Sequence, residues 1–168
     1  MIDLELLLDV VRGEATGIRS SIHGEQHWKA VARAGLDISA HTPGADRSVV
    51  FLFALFHDAM RENDGHDPRH GARAAAFVRR VDPALHGLGE RVETLAVACE
   101  LRADGEVSDD PTIGACWDAD RLNLWRVHIV PSAELLSTAA AREPRRMAES
   151  LAYPRGEYDW AELAQELG

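Results

Sequence analysis

The stretch Val49 to Asp58, VVFLFALFHD, decides the fold. Its first eight residues are apolar without interruption, and a helix that is apolar around its full circumference is buried on every side. Eight residues are far fewer than the roughly 20 that a membrane-spanning helix requires. The stretch therefore predicts the central helix of a helical bundle, and a His-Asp pair ends it.

Apolar residues recur at helical spacing on both sides of this stretch. Leu4 to Val11 predicts a first amphipathic helix that ends near Gly13, and Asp46 is expected to cap the central helix. Alternating runs typical of strands do not occur, so we expect an all-α, single-domain fold. Further helices are predicted from Ser20 or Ser21 to Gly35, from Asp67-Pro68 to Val81, around Val92 to Cys99, from Asp110-Pro111, around Ala133 to Arg142 and Arg145 to Leu151, and after Asp159.

Composition limits the classes of function. The 168 residues, 46% of them apolar, suit one domain spanning 1–168. The net charge of −10 argues against binding to a nucleic-acid duplex or to a membrane surface. Two cysteines are too few for a disulfide framework, and the first ten residues carry acids where a secretory signal needs bases. We therefore expect a cytoplasmic protein.

Three polar residues interrupt apolar helix faces. Each has apolar neighbours about one turn away on its own face, so burial without a partner would cost about 1 to 3 kcal/mol or more for each. These residues are His27, His57 and Asp120. One divalent cation would satisfy all three, with Asp58 as a fourth ligand. Mn, Fe, Ni, Co, Zn and Mg remain open as the metal.

Three strings carry a resemblance to a known family: HGEQHWKAV from His23, LFALFHDAMREND from Leu52, and WDADRL from Trp117. In this order they resemble the HD superfamily of metal-dependent phosphohydrolases. The resemblance covers about Ile22 to Arg126. It implies an HD-type bundle with a metal-site core at about 20–128 and a C-terminal helical extension at 132–168. It also implies that His27 and Asp120 complete the ligand set of His57 and Asp58.

The resemblance further implies a reaction. A metal-activated water would cleave a phosphate ester of a nucleotide or another small metabolite, with Asp58 helping to orient that water. In such proteins a base or an acid shortly after the His-Asp pair contacts phosphate or transfers protons. Arg61 fits the first role and Glu62 the second, although each also suits a solvated loop.

Several other residues are expected near the substrate. His23, His66, His70 and Arg102 are assigned to the pocket. Similar proteins with a second metal carry two histidines where this chain has Leu101 and Arg102, so one metal is expected here. Asp118 lies about 200° from Asp120 around the same helix. It is assigned to a supporting place behind the ligands, or to the role of Asp120 itself.

Two alternatives stay open. The first is a non-catalytic HD domain that binds a nucleotide or a partner protein through the same pocket. The second is an oxygenase with two irons, which needs about six ligands and is disfavoured by the missing histidines. The expected partner is a small phosphorylated substrate, and an oligomer is possible.

Overall fold

The computed structural model describes residues 2–101 and 106–167, which form helices joined by turns and loops, and no strand occurs among them. The prediction of an all-α single domain is confirmed. Within these ranges no helix combines the length and the apolar character needed to cross a membrane. The helices are α1 (Leu4–Glu14), α2 (Glu25–Ala40), α3 (Arg47–Phe56), α4 (His70–Arg80), α5 (Pro83–His86), α6 (Val92–Glu100), α7 (Pro111–Arg121), α8 (Ala139–Arg142), α9 (Pro144–Glu149) and α10 (Trp160–Gln165).

Helix α3 lies at the centre, as its composition predicts. Every residue from Val49 to Phe56 is buried, and α3 packs against α2, α4, α6 and α7. The Asp46 carboxylate accepts a hydrogen bond from the Val49 N–H, which confirms the predicted cap. His57 is the C-terminal cap of the helix, so the His-Asp pair lies where the most buried helix ends.

Helix α2 packs closely against α3 at Gly35. A Cβ atom placed on Gly35 would lie 2.6 Å from Val50 Cγ1. Two carbon atoms that are not bonded to each other cannot approach so closely. The absence of a side chain at this position therefore lets the two backbones come together. This close packing brings α2, which carries His27, beside the helix that carries His57.

Two predicted helix starts are wrong. Helix α2 begins at Glu25, because Ser20 Oγ accepts hydrogen bonds from the Ile22 and His23 N–H groups and folds this segment into a turn. Helix α4 begins at His70. Asp67 does not cap it, because its carboxylate accepts from the Glu62 N–H at 3.0 Å.

The C-terminal extension lies across α2 and α7. Asp37 of α2 accepts hydrogen bonds from Arg146 at 2.8 Å and from Tyr153 at 2.9 Å. At the other end of α2, Trp160 donates to Glu25 at 2.9 Å. The extension consists of short α- and 3-10-helices, more broken than the one or two helices predicted around Ala133 to Arg142 and Arg145 to Leu151, and it ends in the short helix expected after Asp159. It thus braces the helix that carries His27.

The contact at Gly35 predicts an unusual response to alanine. Gly35→Ala gains about 1 kcal/mol of helix propensity but introduces an overlap worth about 1 to 3 kcal/mol. We expect a lower free energy of unfolding in urea, partly restored when Val50→Ala is added. Gly13→Ala is the matched control, because nothing lies within 4 Å of that Cβ position, and it should stabilise the protein. A Gly35→Ala variant as stable as Gly13→Ala would contradict the packing described.

Candidate metal centre

Two segments of the chain bring two imidazoles and a carboxylate together. His27 comes from the first turn of α2, and His57 and Asp58 follow α3. His27 Nε2 and His57 Nε2 lie 3.3 Å apart. Asp58 Oδ2 lies 3.7 Å from the first nitrogen and 3.5 Å from the second. This buried group could hold a metal ion.

Asp120 from the last turn of α7 approaches the same two nitrogens. Its Oδ1 atom is 3.1 Å from His27 Nε2 and 3.7 Å from His57 Nε2. Two ligand atoms that each lie about 2.1 Å from one ion are about 3.0 to 3.6 Å apart at angles of 90 to 120°. The separations from Asp120 to the two nitrogens lie in or near that range, so Asp120 is placed beside the group of His27, His57 and Asp58 that could hold a metal ion.

The hydrogen bonds of His57 determine which ring nitrogen carries its proton. Nδ1 faces the carbonyl oxygens of Phe53 and Ala54 at 3.2 and 3.0 Å. Carbonyl oxygens only accept, so Nδ1 carries the hydrogen, and in the neutral ring Nε2 presents a lone pair. That lone pair faces the His27 nitrogen and two carboxylate oxygens. A proton can bridge only one pair of these atoms, whereas a cation can bind all of them.

The surroundings of His27 favour its neutral form, in which an imidazole binds metals. Burial lowers the pKa of His27, and the positive charge of Arg126 lowers it further. Its Nδ1 atom is buried and has no hydrogen-bond partner in the described part of the chain. The ring is therefore held by packing alone on one side and by the cluster on the other.

Two further histidines contact Asp58. His23 Nδ1 lies 2.9 Å from Oδ2, and His70 Nε2 lies 3.5 Å from Oδ1. The backbone of His23 is fixed, because Trp28 Nε1 donates to its carbonyl at 2.6 Å. The structure thus places both histidines next to a candidate ligand.

Arg61 has a position different from that expected of a phosphate-binding residue. It is buried, and its guanidinium donates to the carbonyls of Asn63 at 3.2 Å and Gly65 at 2.7 Å. Its Nη1 atom lies 3.7 Å from Asp58 Oδ1. Arg61 therefore organises the loop after the His-Asp pair, with its charge directed at Asp58.

The structure does not bring Glu62 or His66 into the cluster. The Glu62 side chain is 61% exposed, and its carboxylate faces Arg73 at 3.6 Å. The expected proton-transfer role for Glu62 therefore lacks support from its position. His66 is exposed in the loop before α4. Arg102 lies outside the described residues.

Asp118 faces away from the centre, contrary to the role expected for it. Its carboxylate accepts hydrogen bonds from the backbone N–H groups of Ser137 and Thr138, both at 2.7 Å, and from Thr138 Oγ1 at 2.8 Å. Burial raises the pKa of Asp118, against the effect of these hydrogen bonds. The residue fastens the C-terminal extension to α7.

Arg126 is a residue of the centre that sequence reasoning missed. Its Nε donates to the Ile22 carbonyl at 3.0 Å and its Nη1 to the Asn123 carbonyl at 3.0 Å. Its Nη2 lies 3.7 Å from Asp120 Oδ1. The only sequence signal is a basic residue shortly after the WDADRL string, which is too common a feature to be informative.

The centre is almost closed to solvent. The side chains of His27, His57 and Asp58 are 3%, 0% and 0% exposed. Those of His23, Asp120, Arg126 and His70 are 12 to 15% exposed. These four side chains are therefore the ones through which the cluster meets solvent.

Comparison with known proteins identifies no relative: no family model, curated protein or solved structure matches the chain.

Alanine substitutions of Asp118 and Asp120 should affect different properties, stability and metal content, although the two residues are only two positions apart. Asp118→Ala should lower the free energy of unfolding by about 2 kcal/mol or more, because three donors lose a buried acceptor, yet it should leave the metal content of the folded protein unchanged. Asp120→Ala should lose bound metal with a smaller change in the stability of the metal-free protein. Urea unfolding and elemental analysis measure both quantities. The reverse pattern would exchange the two assignments.

Proposed function

We propose that the protein is a metal-dependent phosphohydrolase of the HD type, which cleaves a phosphate ester of a nucleotide or another small metabolite. The proposal rests on the convergence of four side chains that can bind a metal. The two imidazole nitrogens are 3.3 Å apart, and an oxygen of each carboxylate lies 3.1 to 3.7 Å from both of them. The order and setting of these residues are those of the HD pattern described above.

His27, His57, Asp58 and Asp120 would hold the metal. A bound divalent cation lowers the pKa of a water ligand toward 7 and offsets charge on a phosphoryl oxygen. Phosphoryl transfer depends mostly on positioning and electrostatic stabilisation, and the cluster provides both at a site with restricted access to water.

The chain's own groups orient this chemistry. His23 and Asp58 form a hydrogen bond at 2.9 Å, which fixes the rotamer of the carboxylate. Such outer partners of a metal ligand typically change metal affinity or activity by about 10- to 100-fold. His23 and His70 are the partly exposed histidines next to Asp58, and a substrate would approach beside them.

A non-catalytic binding domain is the second candidate. The exposed Leu101 stands where two-metal HD proteins carry a histidine, and a loss of ligands would suit such a domain. Against this candidate, burial of two carboxylates and two imidazoles in one place costs free energy, and a surface that only binds a partner does not require it.

Metal reconstitution tests the proposal. Protein stripped with a chelator is reloaded with Mn, Fe, Ni, Co, Zn or Mg and incubated with nucleoside monophosphates and small sugar phosphates. We expect phosphate release with at least one metal, and none from stripped protein. Asp58→Asn, which keeps the shape of the side chain, should lower kcat/KM by about 1000-fold, because metal catalysis supplies several kcal/mol. Asp9→Asn, at an exposed position of α1, is the matched control.

Two results would contradict the proposal. A loaded wild type that releases no phosphate, but is stabilised by a nucleotide, would be a binding domain. Two irons per chain with oxygen consumption would indicate an oxygenase instead.

A further inference from the structure

Each carboxylate of the candidate centre has one arginine at the same distance. Arg61 Nη1 lies 3.7 Å from Asp58 Oδ1, and Arg126 Nη2 lies 3.7 Å from Asp120 Oδ1. An arginine remains charged at all ordinary pH values. With neutral imidazoles, the two positive and two negative charges cancel before a metal binds.

Both arginines are held in place independently of these carboxylates. Arg126 donates through Nε and Nη1 to the carbonyls of Ile22 and Asn123, and Arg61 donates to two carbonyls of its own loop. Neither guanidinium can leave when a carboxylate turns to a cation, because these hydrogen bonds would be lost. A divalent ion would therefore convert a neutral centre into one with a charge of +2.

This change of charge is large in a chain whose net charge is −10. An anion meets repulsion over most of the protein, and the centre attracts it only after the metal has bound. Arg126 is the arginine placed for this role, because its side chain and that of Asp120 are both 12% exposed. Arg61 has a side chain that is only 7% exposed, and it lies beside the fully buried Asp58.

We propose that Arg126 helps to bind an anion at the metal-loaded centre: its charge opposes the cation and strengthens the attraction for a phosphate or phosphomonoester beside it. The inference rests on the proposed function, since it assumes that the centre binds a metal. The guanidinium lies beside Asp120, and its charge there helps to hold the anion in position. Arg126 is therefore a positioning residue.

Calorimetric titration with Mn²⁺ alone, and with inorganic phosphate before and after Mn²⁺ loading, tests this role. Two unit charges about 7 Å apart interact strongly enough, at an effective dielectric constant of about 20 to 40, to change an affinity by about tenfold or more. Arg126→Met, which keeps the length but not the charge, should bind Mn²⁺ about tenfold more tightly. It should bind phosphate to the Mn²⁺-loaded protein about tenfold more weakly.

Two variants separate charge from scaffolding. Arg126→Lys keeps the charge but loses the paired hydrogen bonds, and it should retain both affinities within about threefold. Arg121→Met removes a neighbouring arginine that donates to the carbonyls of Glu106 and Leu135, and it should change neither affinity.

The proposal can be falsified because Arg126→Met should raise the Mn²⁺ affinity and lower the phosphate affinity. If Arg126→Met weakens both affinities together, Arg126 is only a brace for the turn at Ile22, and the proposal is wrong. It is equally wrong if the wild type binds phosphate as well without Mn²⁺ as with it, or if Arg126→Met leaves both affinities unchanged. In each of these cases Mn²⁺ binding by the wild type still supports the metal centre. Absence of Mn²⁺ binding by the wild type would overturn the proposed function and this inference together.

Discussion

Two imidazole nitrogens, from His27 and His57, face each other 3.3 Å apart in a buried space that two carboxylates also enter. His57 Nε2 and the carboxylate oxygens are acceptors, because the second ring has its proton on the opposite nitrogen, toward backbone carbonyls. Such an arrangement requires positive charge between the groups. The folded chain supplies two nearby arginines, and a divalent cation would bind the nitrogen and oxygen atoms that face one another.

The fold maintains this arrangement by placing the candidate ligands at the ends of packed helices. Helix α3 is buried on all sides, so the pair that follows it has little freedom to move. The missing side chain at Gly35 allows α2 to lie close to α3. The C-terminal extension is fastened to α2 at Asp37 and to α7 at Asp118. His27 and Asp120, the candidate ligands on these two helices, are therefore braced by the same segment.

Local signals in the sequence predicted most of the helices and the group of His27, His57 and Asp58 that could hold a metal ion. The apolar run of α3, its Asp46 cap and the Asp110-Pro111 start of α7 depend on neighbours within a few residues. The roles of Asp118 and Arg126 depend on partners 19 or more residues away, at Ser137 and Ile22. Helical periodicity assigns a side chain to a face, but it does not identify what the chain brings to that face. Arg61 shows the same limit, because its charge suggested a substrate contact while its donors stabilise its own loop.

X-ray anomalous diffraction from a crystal grown with Mn²⁺ or Zn²⁺ tests whether the four residues bind one metal ion, because it locates the ion and its ligands together. We expect one anomalous peak per chain. It should lie about 2.0 to 2.3 Å from Nε2 of His27, from Nε2 of His57, and from one carboxylate oxygen each of Asp58 and Asp120. A metal bound elsewhere, or a cluster that stays free of metal while its histidines and carboxylates keep these positions, would contradict this expectation.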